Sequence, residues 1–437
     1  MSSVRPVTPF QALAFSSLSV PLSILSLPIV IYVGPYYGEE LGVGLGTVGT
    51  VFLFVRIIDA LLDIFVGRLS DRTKWKIGRR KPWILLGAPL LLGATVMVSF
   101  PPARPGAVYF AVGVSLYYIA WTIVQIPHLS WGQDLGGDEA GRRRMSAWRE
   151  SGTVIGALMA GLLPLLIPAR ADVSTAAHAI WVLGIAASVL LALGLVACLL
   201  AVPERPMQPE EPRPADPLWS ALASLPVFAA ILSMFLMNTA AGTYNSVILI
   251  LIEEEFGLKG AFLPFVLVQY VVCLTVVPAT IAAARRLGTY GVLIGGIVVF
   301  SLGLGLAAWL TPSQPSTMLL ALAAGLYVST LLVLTPAYIA EFAAADHAAK
   351  GRDRMGEFMA LYNLACKLGA AVGAGVGLIA FDHLKTGLGI PASSVLSPGR
   401  VIGCYMPVAI FALSVVALRI SHRSQQRAAG SEGVPAN

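Results

Sequence analysis

Long apolar stretches, separated by short polar segments, follow one another along almost the whole chain. Each stretch has close to the roughly 20 residues that an α-helix needs to cross the hydrocarbon core of a bilayer. The pattern therefore predicts an all-α membrane protein with about twelve transmembrane helices. The predicted spans are approximately residues 10–36, 45–70, 82–100, 106–131, 146–168, 177–202, 219–252, 261–283, 288–310, 315–341, 355–381 and 400–420.

The composition agrees with this prediction. Hydrophobic residues make up 57% of the 437 residues and charged residues only 12%, whereas soluble domains have about 25% charged residues. The mean hydropathy is +0.79. Almost no sequence is left for a soluble domain, so the lipid bilayer is the predicted main environment of the chain.

The basic residues fall mostly on one side of the predicted membrane. Of the 29 Lys and Arg residues, 21 lie in loops or termini on one side and five on the other. Cytoplasmic loops retain positive charge, so both termini are predicted to be cytoplasmic in a multi-pass protein of the bacterial inner membrane. The net charge of +6 follows from this asymmetry and gives no reason to expect a nucleic-acid partner.

A polar segment divides the chain near its middle. Residues 203–217 read PERPMQPEEPRPADP, a composition typical of a semi-rigid linker. We predict an N-terminal bundle of six helices over residues 1–202, a cytoplasmic linker over residues 203–218, and a C-terminal bundle of six helices with a short cytoplasmic tail over residues 219–437.

The two halves contain a similar polar motif. From Pro127 to Met145, and again from Pro336 to Met355, a proline predicted to end a helix is followed by an acidic residue, a basic cluster and a methionine. Internal repeats are typical of secondary transporters, in which the solute site lies near the bilayer midplane where the repeats meet. The motif therefore predicts two pseudo-symmetric bundles.

Three charged residues of the second predicted helix share one face. Arg56, Asp59 and Asp63 are spaced i, i+3, i+7, and a charge at the bilayer centre costs about 2.5–3.5 kcal/mol on insertion scales. Two ionised carboxylates one turn apart repel each other, and such a pair can bind a proton or a small cation reversibly. The alternative is a static Arg–Asp pair between helices, which explains one carboxylate better than two.

Two further basic residues lie inside predicted spans. Lys367 is midway along the eleventh helix, in a segment rich in Gly and Ala that favours close packing. A solute-site or gating role and a structural pair with Asp59 or Asp63 both remain open for it. Arg149 lies near the cytoplasmic end of the fifth helix, where its side chain can also reach the interface, and Glu150 is its candidate partner or a capping residue.

The basic loop between the second and third helices, residues 67–83, is a candidate cytoplasmic gate. Asp71 is placed to cap the N-terminus of a neighbouring helix. The basic residues predicted to hold the two halves together through charge-assisted hydrogen bonds are Arg72, Arg79 and Arg80. The alternative, that these charges only orient the protein, is compatible with a gating role.

No pattern indicates a metal site, a disulfide framework or a cofactor. The four cysteines fall in apolar spans without paired spacing and are predicted to be small packing residues. His128 has no second metal ligand at i+3 or i+4, so we expect a packed or hydrogen-bonded histidine. The glycine runs at 303–307 and 373–377 are predicted to pack helices.

Several of these segments resemble the glycoside-pentoside-hexuronide:cation symporters, the melibiose-permease branch of the major facilitator superfamily. They are RIIDALLD and GRLSDRTKWKIGRRKPWILLGAPL around helices two and three, TIVQIPHLSWG in helix four and YNLACKLG in helix eleven. The resemblance implies the major facilitator fold and cation-coupled transport of a solute.

The resemblance also implies roles for single residues. It aligns Asp59 and Asp63 with the family's cation-site carboxylates and Thr122 with a cation ligand of helix four. It aligns Lys367 with a lysine near that site and Arg149 with an arginine near the sugar. With Arg56, these two basic residues are the candidates for solute contact or gating.

The sequence departs from the sodium-coupled sugar permease at two positions of the cation site. Leu62 and Gln125 stand where that permease has Asn and Asp, although Gln125 stays a candidate cation-site residue. Fewer hard oxygen ligands weaken the case for sodium. The first helix also lacks the acidic residue that binds sugar hydroxyls, which weakens the case for a melibiose-like sugar.

The predicted function is alternating-access symport of a small polar solute, a sugar or glycoside by resemblance, coupled to a proton rather than to sodium. The alternatives are a carrier of lysolipids or other amphiphiles, and a non-transporting assembly factor on the same fold. An enzyme is not expected, because the sequence has no nucleophile elbow, HExxH motif or clustered metal ligands. We expect no cofactor besides the coupling ion, H+ or Na+, and a monomer.

The distribution of basic residues yields a test of the orientation. We expect alkaline phosphatase fused to the C-terminus to be inactive and a cytoplasmic reporter fused there to be active, because both termini are predicted to face the cytoplasm. Fusions in the predicted periplasmic loop around Arg104 provide the opposite control. An active phosphatase at the C-terminus would overturn the predicted topology.

Overall fold

The structure is a computed structural model in which residues 7–73, 75–136, 139–170, 173–204, 218–310, 313–350, 354–387 and 394–431 are described. Within these ranges the regular structure is helical, apart from an isolated bridge between Trp75 and Gly78. The all-α prediction is confirmed.

The long helices are numbered in chain order. They are α1 (Pro9–Glu40), α2 (Leu45–Arg72), α3 (Lys81–Ser99), α4 (Ala107–Gly136), α5 (Glu139–Leu166), α6 (Thr175–Ala201), α7 (Leu225–Glu255), α8 (262–287), α9 (289–309), α10 (Gln314–Lys350), α11 (Met355–Gly387) and α12 (Pro398–Arg427).

Among the described residues, nine helices are long and apolar enough to cross a membrane. The nine do not include α2 and α5, which carry interior charges, and Phe262–Trp309 is counted as one helix. That helix is broken at Gly288, whose φ of 78° is incompatible with an α-helix. When α2 and α5 are added and the broken helix is counted as two, the described residues contain the twelve predicted helices.

The prediction that Pro127 and Pro336 end helices is wrong. Both prolines lie inside helices, α4 and α10, which continue beyond them to Gly136 and Lys350. In a membrane protein the carbonyl group freed by a proline can be satisfied by neighbouring helices or side chains, so the helix continues. The seventh span also begins later than predicted, at Leu225.

The chain forms two compact units, Met1–Glu211 and Pro212–Asn437. The predicted linker, residues 203–218, lies outside the described residues except for positions 203, 204 and 218. The two units have the same packing scheme. In the first, α1 packs against α5 and α6, and α4 against α2 and α3; in the second, α7 packs against α11 and α12, and α10 against α8 and α9.

Glycines form a close contact between the corresponding helices of each unit. In the first unit, a Cβ at Gly152 of α5 would lie 2.5 Å from the carbonyl oxygen of Ser16 in α1. The Ser16 hydroxyl donates to the carbonyl of Trp148 at 2.6 Å. Small residues let helix backbones approach in this way, which favours packing in lipid.

The second unit repeats this seam between α11 and α7. Cβ atoms at Gly369 and Gly373 would overlap the carbonyl oxygens of Phe235 and Thr239, and the Thr243 hydroxyl contacts the Gly373 carbonyl at 3.2 Å. The predicted packing role of the glycines at 373–377 is therefore observed at Gly373.

The seam predicts different effects for two identical substitutions. We expect Gly373→Ala to lower the free energy of unfolding by about 1–3 kcal/mol, because the new methyl group forces α11 away from α7. Gly305→Ala in α9 is the matched control, since nothing lies within 4 Å of a Cβ there, and alanine favours a helix by up to about 1 kcal/mol. Thermal unfolding in detergent measures both, and equal melting temperatures would contradict the seam.

Candidate cation and solute site

Helices α2 and α4 lie side by side in the first unit and run parallel to each other. The Arg56 guanidinium lies 4.7 Å from the centre of the Tyr118 ring. Three turns further along α2, a Cβ at Gly67 would lie 3.7 Å from Ile126. The contacts thus advance along α4 as they advance along α2, and the segment that contains the two aspartates faces α4 between them.

The Thr122 hydroxyl lies beside both carboxylates. Its Oγ1 is 2.6 Å from Oδ1 of Asp59 and 3.3 Å from Oδ1 of Asp63. Asp59 and Thr122 are buried, whereas Asp63 is partly exposed. The structure therefore brings together three of the four residues predicted for the cation site.

A hydroxyl group carries one hydrogen, so Thr122 can donate to only one carboxylate at a time. The shorter distance assigns that hydrogen to Asp59. The contact with Asp63 then becomes favourable when Asp63 carries a proton of its own, or when a cation lies between the oxygens. The arrangement can therefore hold one exchangeable positive charge.

Gln125, the fourth predicted residue, lies one turn beyond Thr122 and bonds elsewhere. Its Oε1 accepts a hydrogen bond of 2.6 Å from Nε1 of Trp121. The amide oxygen keeps a second lone pair, and its NH2 group carries two donors. Gln125 can therefore also donate to a solute oxygen, and its role as a cation-site residue stays a prediction.

Aromatic side chains on the same stretch of α4 were missed by the sequence analysis. The rings of Tyr117 and Trp121 stack with centroids 6.0 Å apart, and the Tyr117 hydroxyl donates to the carbonyl of Leu25 in α1 at 2.9 Å. The i, i+4 spacing of the two residues is the available signal. The half-buried indole offers an apolar face next to polar groups, as ligand sites often do.

The predicted solute or gating residues of the first unit have different surroundings. Arg56 is half-buried and makes a cation–π contact with Tyr118, which holds its charge one turn from Asp59. Arg149 pairs with Glu150, and their side chains are 26% and 54% exposed. Glu150 is thus the partner of Arg149, one of its two predicted roles.

Lys367 lies half-buried on α11 of the second unit. Five residues earlier on the same helix, the hydroxyl of Tyr362 lies 2.8 Å from that of Thr335, and Thr335 donates to the carbonyl of Leu331 at 2.6 Å. Because the Thr335 hydrogen is used in this way, Tyr362 donates to Thr335 and joins α11 to α10. The predicted pairing of Lys367 with an aspartate of the first unit stays a prediction.

The loop between α2 and α3 is organised around Arg80, whose side chain is only 4% exposed. Its guanidinium donates to Ser70 and Asp71 at 2.6 Å each and to Asp134 of α4 at 3.1 Å. Arg79 donates to the same Asp134 at 2.6 Å. These bonds join α2, α3 and α4 within the first unit, while Arg72 is exposed.

Glu204 is a further member of this network that the sequence analysis missed. Its carboxylate accepts hydrogen bonds from the backbone N–H groups of Arg80 and Lys81, the latter at 3.4 Å. A carboxylate at the N-terminus of α3 is favourable there, because the helix end is partially positive. The carboxylate of Asp71 accepts a hydrogen bond from the Arg80 side chain. The predicted role of this loop in holding the two halves together stays a prediction.

His128 is buried against α1. Its Nε2 lies 3.0 Å from the carbonyl oxygen of Phe15, and the two rings stack with centroids 4.3 Å apart. This is the packed, hydrogen-bonded histidine that the sequence indicates. Within the part of the chain that the structure describes, no group of three metal-ligating side chains occurs.

Comparison with known proteins places these features in a family context. The model of the family described as MFS/sugar transport protein matches residues 14–421. The inner membrane symporter YicJ of Escherichia coli (strain K12) is 32% identical over 124 residues, which cover 28% of this chain and 27% of that protein. The putative glycoside/cation symporter YagG of the same organism is 24% identical over 92% of this chain and 91% of its own length.

A solved structure has the same fold. The nucleoside transporter NupG superposes with a TM-score of 0.65 over 95% of this chain and 98% of its own, at 13% sequence identity. At this identity the likeness concerns the arrangement of helices alone.

Proposed function

Because the chain belongs to the family of MFS/sugar transport proteins and is a multi-pass membrane transport protein rather than an enzyme, we propose that it is a symporter. It moves a small polar solute, a sugar or a glycoside, together with a cation. The name of the relative YagG, a putative glycoside/cation symporter, supports this class of solute. The protein acts as a monomer in a bacterial inner membrane, with both termini in the cytoplasm.

The contact of Thr122 with two carboxylates carries this proposal. A buried carboxylate and a partly exposed one both lie within hydrogen-bond distance of a single hydroxyl group in a membrane-spanning bundle. Charged groups at such a depth are costly and mark ion pathways. A cation that binds there removes the repulsion between Asp59 and Asp63, so its gradient can drive the cycle.

The coupling ion is a proton rather than sodium. A hard cation needs about six oxygen ligands in a compact shell. The oxygens of Asp59, Asp63 and Thr122 are at hand, but the Gln125 oxygen is bonded to Trp121 and Leu62 offers none. A proton needs only one donor–acceptor pair, which Asp63 and Thr122 supply.

Solute contacts are assigned to the polar and aromatic groups around this pair. Trp121 packs on the apolar face of a sugar ring, while Gln125 and Arg56 donate to its oxygens. Arg149 and Lys367 complete the set as solute or gating residues.

Lys367 pairs with Asp59 or Asp63 when no coupling ion is bound, and ion binding releases it and permits the conformational change. Asp71, Arg72, Arg79 and Arg80 form the cytoplasmic gate.

Neutralising either aspartate tests the coupling. We expect Asp59→Asn and Asp63→Asn each to lower concentrative uptake at least about tenfold, because each removes a charge that binds the cation. Solute exchange without a gradient can survive in one of them. The measurement is uptake of labelled mono- and disaccharide glycosides by proteoliposomes with an imposed proton gradient.

The hydroxyl of Thr122 supplies matched controls. Thr122→Ser keeps the hydroxyl and is expected to retain uptake, whereas Thr122→Val keeps the shape and loses it. Full accumulation in both aspartate variants would exclude the coupling site, whereas a wild-type protein that takes up no solute would favour an assembly factor. A strong increase in solute affinity on adding sodium at fixed pH would contradict the proton, and uptake of lysolipid alone would favour an amphiphile carrier.

A double-mutant cycle tests the proposed role of Lys367. We expect Lys367→Ala to lower the melting temperature, because a carboxylate in the membrane loses its counter-charge. Combining it with Asp59→Asn or Asp63→Asn is expected to recover part of the loss, since both charges are then removed. Strictly additive losses in both combinations would show that the lysine meets neither aspartate.

A further inference from the structure

The first helix of each unit ends in the same way at its C-terminus. Helix α1 closes with Glu40 followed by Gly42, and α7 closes with Glu255 followed by Gly257. The two glycines have φ values of 73° and 68°, which an L side chain rarely adopts. The last turn of each helix, Tyr36–Glu40 and Leu251–Glu255, is π-helical.

In the first unit, the terminal glutamate is bonded to the start of the last helix. Ser174 is the N-cap residue of α6, and its hydroxyl oxygen accepts the backbone N–H of Ala177 at 3.1 Å. The same hydroxyl donates its hydrogen to Oε2 of Glu40 at 2.6 Å. One serine thus caps α6 and joins it to α1.

The second unit contains the same bond. Ser397 is the N-cap residue of α12 and accepts the backbone N–H of Arg400 at 3.4 Å, while its hydroxyl donates to Oε2 of Glu255 at 2.5 Å. The other carboxylate oxygen accepts the N–H of Gly399 at 2.6 Å. A Cβ at position 399 would lie 2.6 Å from the carboxyl carbon, so this approach requires glycine.

Both bonds are of a strong type. Hydrogen bonds to a carboxylate are shorter and about twice as strong as neutral ones, and a negative charge at a helix N-terminus is favourable. The two copies differ in exposure, since Ser397 is fully buried whereas Glu40 and Ser174 are exposed. The bond in the second unit is therefore the stronger one, because water screens the other.

The first helix of each unit is therefore attached to its neighbours at two places, a glycine seam and the glutamate–serine bond. Helix α1 is held near Ser16 by the glycine of α5, and α7 is held near Phe235 and Thr239 by the glycines of α11. Each first helix is thus held along part of its length by a glycine seam and at its C-terminal end by a glutamate. The π-helical segments Pro28–Tyr32, Tyr36–Glu40 and Leu251–Glu255 follow the seam, and the last two of them form the final turns of α1 and α7.

We propose that Glu40–Ser174 and Glu255–Ser397 are two copies of one helix clamp. The clamp fixes the outer end of the first helix of each unit to the last helix, and it confines bending of α1 and α7 to their π-helical segments. The glutamates and serines are positioning residues that act through these helices. The importance of this bending for transport rests on the proposed function, whereas the clamp itself does not.

The first experiment is a double-mutant cycle on the buried clamp in the full-length protein. We expect Glu255→Ala and Ser397→Ala each to lower the melting temperature by roughly 2–4 °C, and the double variant to lose little more than the worse single variant. Glu254→Ala, at the exposed neighbouring carboxylate, combined with Ser397→Ala is the matched control and should be additive. Additive losses in the Glu255 cycle would overturn the clamp.

The second experiment locates the effect. In Glu255→Ala, the amides of residues 251–260 should exchange with deuterium roughly tenfold faster, whereas residues 36–44 should keep the rates of the wild-type protein. Glu40→Ala should show the reverse pattern with a smaller change, and Ser397→Thr, which keeps the hydroxyl, should resemble the wild type. Uniformly faster exchange would indicate general destabilisation and contradict the proposal.

A transport measurement separates the clamp from the proposed function. In proteoliposomes, Glu255→Ala is expected to lower the maximal rate of glycoside uptake at least about twofold and to leave KM unchanged, because Glu255 is not among the residues assigned to the cation or the solute. An unchanged maximal rate would exclude a role of the clamp in transport. If the wild-type protein takes up no glycoside, the proposed function fails, while the stability cycle and the exchange pattern still decide whether the clamp exists.

Discussion

The hydrocarbon core of a bilayer offers no hydrogen-bond partner, so every backbone group and every charge within it must find one in the protein. This constraint explains why the described segments are helical and why few charges occur inside them. It also explains where those charges lie. Asp59 and Asp63 face α4, where Thr122 contacts both, and Arg56 lies over the ring of Tyr118. The polar groups of the first unit are thereby gathered between two helices.

Much of this arrangement could be predicted from the sequence, because its signals are local. Span lengths follow from apolar stretches, and the i, i+4 spacing of Asp59 and Asp63 places both on one face of α2. The contact with Thr122, 59 residues beyond Asp63, follows only from the family resemblance. Periodicity says which face of a helix is polar, but it does not say which helix lies opposite.

Other features could not be predicted, because they depend on that tertiary placement. The sequence indicated helix ends at Pro127 and Pro336, yet both helices continue past the prolines, as membrane helices can. Glu204 belongs to the predicted linker by composition, and its role as a cap of α3 depends on the path of the chain after α6. The hydrogen bond from the Trp121 indole to the Gln125 oxygen is likewise visible only in the structure.

The two units share their scaffold and differ in their chemistry. The glycine seam and the glutamate–serine bond recur in both at corresponding helices, although the residues between them differ. The carboxylate pair occurs in the first unit, whereas the charge that the sequence analysis found inside the helices of the second is Lys367. Contacts that fix helix positions must be kept in both copies if each unit is to fold in the same way. The interior polar residues carry no such requirement, so the two copies are free to differ there.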